Sequence, residues 1–122
     1  MQLLVGAAPV ARGLEEGTPL NPAVEELKIR NLEGNTVFHE VLKNRNGGVA
    51  MYLLDLYEEL GDVVNGVGES PLYLPAKAGL IHVVRRLIAG KHYSVEGPDG
   101  QTPLHIAVIK GHSGISITLS LS

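Results

Sequence analysis

The 122-residue chain has no cysteine, no tryptophan, one phenylalanine and four tyrosines. Without cysteine it has no disulfide framework, iron–sulfur cluster, cysteine-ligated zinc or thiol nucleophile, and the composition fits a reducing compartment. An excess of positive charge is also missing. Ten Lys and Arg stand against thirteen Asp and Glu, a formal net charge of −3. That excludes a global nucleic-acid footprint and a polybasic membrane signal. No apolar run approaches the roughly 20 residues of a membrane-spanning helix. The longest, Leu3 to Ala11, contains Pro9 and has no Lys or Arg before it. It reads as a helix that buries its face on the next part of the chain rather than as a secretory leader. With 44% apolar and 19% charged residues the chain is no disordered polyampholyte. What it has in abundance is punctuation: fifteen Gly and seven Pro point to many short elements.

The punctuation is periodic. Gly34, Gly68 and Gly100 are spaced 34 and 32 residues apart, and Thr36, Ser70 and Thr102 keep the same spacings, as do Phe38, Leu72 and Leu104. Downstream, Val49 and Leu53 match Val83 and Leu87, and Gly79 matches Gly111. Each Gly-x-Thr/Ser step supplies a turn residue that tolerates positive φ, followed by a hydroxyl that caps a helix. Pro71 and Pro103 then sit where a first helical residue needs no N–H. A short helix ends at a glycine, and a second apolar pattern at helical spacing (Ile81, Val83, Val84, Leu87, Ile88) begins soon after. The unit is therefore turn, helix, tight turn, helix and extended loop, with first helices expected near Val37, Pro71 and Pro103.

Thr102-Pro103-Leu104-His105-Ile106-Ala107, with Gly111-His112 behind it, resembles the ankyrin repeat core Thr-Pro-Leu-His-x-Ala. The resemblance implies an all-α ankyrin solenoid of helix-turn-helix units joined by hairpin-like loops. The expected organisation is a flank at 1–30, repeats at 31–64 and 65–96, and a partial repeat with an atypical tail at 97–122. It also implies that His39 and His105 bond the capping Thr and nearby backbone. Asn31 to Glu40 and Gly68 to Leu74 are similar, more narrowly, to membrane-associated plant ankyrin proteins of the accelerated-cell-death type. In those, a cytoplasmic array precedes transmembrane helices and serves defence and stress signalling at the plasma membrane. For this chain the expectation is a cytoplasmic array without the membrane part.

Several residues depart from the repeat pattern. Pro75 stands where the third unit has Ala107, well inside a first helix. An interior proline costs on the order of 3 kcal/mol, so a shortened or kinked helix is expected, and Pro75→Ala is expected to stabilise by about 1–3 kcal/mol. Asn44-Arg45-Asn46-Gly47-Gly48 replaces the glycine turn, which suggests a looser connection. From Ser113 onward no charge appears, and Ile115, Ile117, Leu119 and Leu121 fit either a helix or a period-2 strand that pairs edge to edge. Asn21 to Leu27 reads as one capped helical turn.

Catalytic patterns fail on inspection. His39-Glu40-Val41-Leu42-Lys43 lacks the second histidine of a zinc helix. Gly111-His112-Ser113-Gly114-Ile115 lacks the last glycine and the preceding strand of a nucleophile elbow. Gly66-Val67-Gly68 continues to Pro71 instead of the third glycine of a dinucleotide loop. Arg85, Arg86, Lys91 and His92, and Asp55, Glu58, Glu59 and Asp62, read as two solvated faces, with Tyr52 and Tyr57 as packing residues.

The expectation is thus a non-catalytic protein-interaction module with a protein partner, no cofactor, no metal and no nucleic acid. Structural motif residues are Gly34, Thr36, His39, Gly68, Ser70, Pro71, Gly100, Thr102, Pro103 and His105. Register leaves the loop tips and first-helix ends free for contact, as the resemblance implies. These are Leu32, Glu33, Asn35, Lys43 and Asn44, then Val67, Glu69 and Lys77, then Asp99, Gln101, Ile109 and Lys110. Self-association through the uncharged tail is a further expectation. The competing expectation is a truncated or alternatively spliced piece of a longer membrane-bound ankyrin protein, without activity of its own.

Overall fold

A computed structural model describes residues 22–122; the apolar run at Leu3 to Ala11 lies outside them. Among the described residues the regular structure is all helical. Helix α1 (Pro22–Leu27) is the expected short turn of helix. Three helix pairs come after it: α2 (Val37–Lys43) with α3 (Gly47–Leu56), α4 (Tyr73–Ala78) with α5 (Ile81–Ala89), and α6 (Pro103–Ile109) with α7 (Ser113–Ser120). Two 3-10 turns, Glu58–Asp62 and Pro98–Gly100, lie in the connections. First helices stack on first helices and second on second, making two layers. One core runs through all three pairs, from Phe38, Leu42 and Leu54 through Leu72, Val83 and Leu87 to Ile106, Ala107 and Ile115.

The helices start as the capping chemistry requires. Thr36 and Thr102 each accept a bond from the backbone N–H three residues on, and His39 and His105 reach back to the N–H of their Thr. Ser70 does the same for Tyr73 N–H at 3.1 Å. The second pair corrects the expected start at Pro71: α4 begins at Tyr73. Pro75 has no N–H to give the Pro71 carbonyl, so the ladder skips from Leu74 N–H→Ser70 to Ala76 N–H→Leu72. The first turn is therefore irregular, and the helix is short as foreseen.

The turns within pairs overturn another expectation. Arg45 takes φ 58°, standing in for Gly79 (φ 85°) and Gly111 (φ 77°). Asn46 N–H bonds the Val41 carbonyl, Leu80 N–H that of Pro75 and His112 N–H that of Ala107, at 2.9–3.0 Å. The 44–48 connection is thus no looser than the others: a non-glycine residue accepts the left-handed conformation and the same terminal bond closes all three. The tail resolves the other ambiguity. Ser113 to Ser120 is helix, so the period-2 pattern does not make an edge strand.

Loops stack as closely as the helices. Gly66 N–H donates to the Gly34 carbonyl at 2.9 Å. A Cβ on Gly34, at φ +83°, would stand 2.7 Å from Gly66 Cα, whereas one on Gly100, at φ +76°, would meet nothing within 4 Å. Gly34→Ala should therefore lower the unfolding free energy by more than Gly100→Ala, about 2 kcal/mol or more against about 1. Urea denaturation of both variants checks the order. Pro75 is wholly buried, and its carbonyl accepts both Gly79 and Leu80 N–H groups. Alanine there regains one backbone bond, worth about 1 kcal/mol, and loses ring burial at about 0.8 kcal/mol per methylene. Pro75→Ala should then change stability by less than about 1 kcal/mol, not by the larger gain expected from sequence; the denaturation midpoint decides.

Candidate functional site

The loops that lead into the first two pairs are built on two asparagines 34 residues apart. Asn31 Oδ1 accepts from Glu33 and Asn35 N–H, both at 3.0 Å; Asn65 Oδ1 accepts from Val67 (3.2 Å) and Glu69 (2.8 Å) N–H. The side chains then join into a ladder. Glu40 Oε2 accepts from Asn31 Nδ2 (3.2 Å) and Asn35 Nδ2 (2.9 Å), and Asn65 Nδ2 donates to Asn35 Oδ1 (2.8 Å) and Glu69 Oε1 (2.9 Å). Asn35, Asn65 and Glu69 are buried. This corrects two expected contact residues. Asn35 and Glu69 are spent inside the loop stack, because a buried amide and carboxylate must find partners and here find each other. The repeated Asn at 31 and 65 was the available signal. In the third pair Gly97 takes that register position, since any Cβ there would collide with the Tyr73 ring and the Gln101 carbonyl. Tyr73 O–H instead donates to Gln101 Oε1 at 3.2 Å, tying the half-buried Gln101 to the second pair.

The other expected contact positions face solvent. Leu32 is fully exposed and Val67 is 62% exposed. Glu33, Lys43, Asn44, Lys77, Asp99, Ile109 and Lys110 are exposed as well. Gly34, Gly68 and Gly100 all take positive φ, as their turn role requires. Lys43 and Lys77 lie in the last turns of α2 and α4, and Lys110 caps the C-terminus of α6. Each cation so placed also offsets the partial negative charge of its helix end. None of the three lysines makes an ion pair among the described residues.

The charged clusters prove less independent than sequence suggested. Arg86 bonds Asp55 (3.2 Å) and lies 3.7 Å from Glu58, and His92 meets Asp62 at 3.3 Å. Both links cross from the second pair to the first. Tyr57 packs against the core, but Tyr52 is exposed and does not pack.

His39 and His105 share one bonding pattern and differ in environment. Each Nδ1 lies 2.8 Å from its Thr Oγ1. His105 is exposed, whereas His39 is completely buried and its Nε2 has no hydrogen-bond partner. Burial holds His39 below the ordinary imidazole value of 6.5. The charge of Arg30 adds to this, and the backbone of Val63 and Glu69 pulls the other way.

Residues 99–119 match the ankyrin repeat family. This stretch is an ankyrin repeat. It contains α6 and most of α7, and the helical architecture of the described residues is that of an ankyrin repeat fold. No curated protein matches the chain. Ankyrin repeats are generally interaction modules, which agrees with a surface of exposed loop tips on a rigid frame. No helix among the described residues is long and apolar enough to cross a membrane.

Because His39 is buried with no partner on Nε2, the stability of the first pair should depend on pH. The unfolded chain protonates His39 near 6.5, the folded chain only at lower pH. Below about 6.5 the unfolded state therefore binds more protons. Stability should be full above that pH and fall as the solution is acidified toward the folded value. His39→Gln should flatten this slope while lowering stability at pH 7.5. Denaturant melts at pH 7.5, 6.5 and 5.5 give the comparison.

Proposed function

We propose that the chain is a non-catalytic protein-interaction module made of three ankyrin-type units, 31–64, 65–96 and 97–122. Its partner lies across the loop tips and the exposed ends of the first helices. The observation that carries this is a contrast within one surface. The bases of the first two loops are locked by the Asn–Glu ladder, while Leu32 and Val67 at the tips and Lys43, Lys77 and Lys110 at the helix ends are exposed. A preorganised frame lowers the ordering cost of binding. The stacked units spread the free side chains along one extended face, as repeat proteins do. The likeness of Asn31 to Glu40 and Gly68 to Leu74 to membrane-associated plant ankyrin proteins favours, as a finer reading, a cytoplasmic role in defence or stress signalling.

The test is affinity capture with the whole chain and with two variants. One changes Lys43, Lys77 and Lys110 to Glu; the other changes Arg85, exposed on α5, to Glu. Proteins captured by the parent and the Arg85 variant should bind the triple variant at least about tenfold more weakly, the effect of losing contacts worth about 1.4 kcal/mol. Equal capture by all three chains would refute the assigned face.

A further inference from the structure

The two joints of the stack differ at the edge where the first helix of each pair turns into the second. An open groove of about 380 Å³ lies there between α3 and α5, lined by Gly47, Gly48 and Met51 on one side and by Leu80, Ile81 and Val83 on the other. Its origin is the Gly47-Gly48 step that starts α3. By the repeat spacing of 34, Ile81 and His82 hold those two places at the start of α5. At the second joint the Ile81 side chain comes so near α7 that a Cβ on Gly114 would stand 3.2 Å from its Cδ1. The first joint has no such side chain. A Cβ on Gly47 would touch only Val83 Cγ2, at 3.7 Å, and one on Gly48 would meet nothing within 4 Å. Two missing side chains leave an apolar groove unfilled.

The same edge carries cations. Lys43 and Arg45 lie just before Gly47 in the chain, Lys77 lies just before Leu80, and Lys110 stands in the corresponding turn of the third pair. All four are exposed, and none makes an ion pair among the described residues. Residues 43–48, 77–82 and 110–114 contain no Asp or Glu, and no acid lines the groove. The loop edge at the other end of the second helices holds acids instead, at Asp55, Glu58, Glu59, Asp62, Glu96 and Asp99. A chain of net charge −3 thus presents a cationic edge beside an empty apolar groove.

We propose that this groove anchors the partner, and that the partner presents an acidic segment with one large apolar side chain, Leu, Ile or Phe, among Asp and Glu residues. The apolar side chain fills the space that Gly47 and Gly48 leave between Met51 and Ile81. The carboxylates beside it meet Arg45, Lys43 and Lys77. This partner chemistry rests on the reading that the helix ends contact a protein, and narrows it. The buried anchor carries most of the affinity, while the cations steer the encounter and select the sign of the partner's charge. A nucleic-acid strand or a lipid headgroup answers the cations alone; an acidic segment with an apolar residue answers both the cations and the groove.

Selection of short random peptides on the immobilised whole chain tests it, followed by fluorescence anisotropy of the selected peptides with the parent and its variants. Circular dichroism checks that each variant is folded. The selected peptides should carry Asp and Glu around a Leu, Ile or Phe, and alanine in place of that residue should weaken binding at least about tenfold. Gly47→Ile puts into the first joint the side chain that the second already holds, and changes no charge. It should also weaken binding at least about tenfold, and Gly48→Leu serves if Gly47→Ile does not fold. Arg45→Gly keeps the left-handed turn, as Gly79 and Gly111 do, and should weaken binding about threefold. Lys91→Glu, beyond the far end of α5, should bind like the parent, and binding should fall as salt rises. Phosphatidylserine vesicles and single-stranded DNA should bind at least about tenfold more weakly than the selected peptides. Failure to select any peptide, selected peptides without acids, or tighter binding of the vesicles or the DNA would each overturn the proposal. If the Lys43, Lys77 and Lys110 variant loses the peptides while both groove variants keep them, the groove is not the anchor and the helix-end surface stands. If the lysine variant binds them like the parent, the surface and the proposal built on it fail together.

Discussion

Helices of six to ten residues do not persist alone in water, because the nucleus costs more than so few turns return. Burial between neighbouring pairs is what makes them stable. Phe38 and Leu42 are sealed by the second pair, and Leu72 and Ala76 lie equally deep. No pair has an interior of its own; the core consists of the joints. The close approach of Gly34 to Gly66, the irregular start of α4 and the histidine with a bare Nε2 are all tolerated because they sit in those joints.

Polar groups caught in a joint must be partnered within it. The Asn31–Glu40–Asn35–Asn65–Glu69 ladder meets that demand across two loops without a basic residue in the ladder. It also gives the loops a rigidity that their glycine content alone would deny them. His39 meets the demand only on its Nδ1 side, and burial disfavours its charged form. The same side chain in the third unit, His105, is exposed and its bonding serves the helix cap alone. Position in the stack, rather than residue type, separates a buried core histidine from a surface cap.

The edges of the joints are held more loosely than their interiors. At the first joint Arg86 meets Asp55 at 3.2 Å, and the pair stays at the solvent-exposed edge of the contact. Exposed apolar residues on an α-solenoid are informative when their register equivalents are buried, as with Val108 against Leu42 and Ala76. Exposure says little when those equivalents are exposed too, as with Lys43 and Lys77.

Local chemistry determined which residues turn and cap, and sequence alone was sufficient to read it. Gly34, Gly68 and Gly100 needed positive φ, Thr36 and Thr102 needed an N–H to accept, and the spacing of the apolar residues gave the paired helices. These interactions span a few residues, so they are written in a few letters. Tertiary structure alone decided what lies between pairs. The repeated Asn at 31 and 65 marks the two loops, but nothing near Asn35 in sequence shows that Asn65, thirty residues on, will bond its side chain. Nothing near Arg45 shows that it will hold a turn as well as glycine does, and the alternating tail favoured strand and helix equally until α6 and α5 gave it a surface to pack on. Contacts made at separations of about thirty residues depend on the stack being formed, and the free energy that selects among local alternatives is the burial that only the stack provides.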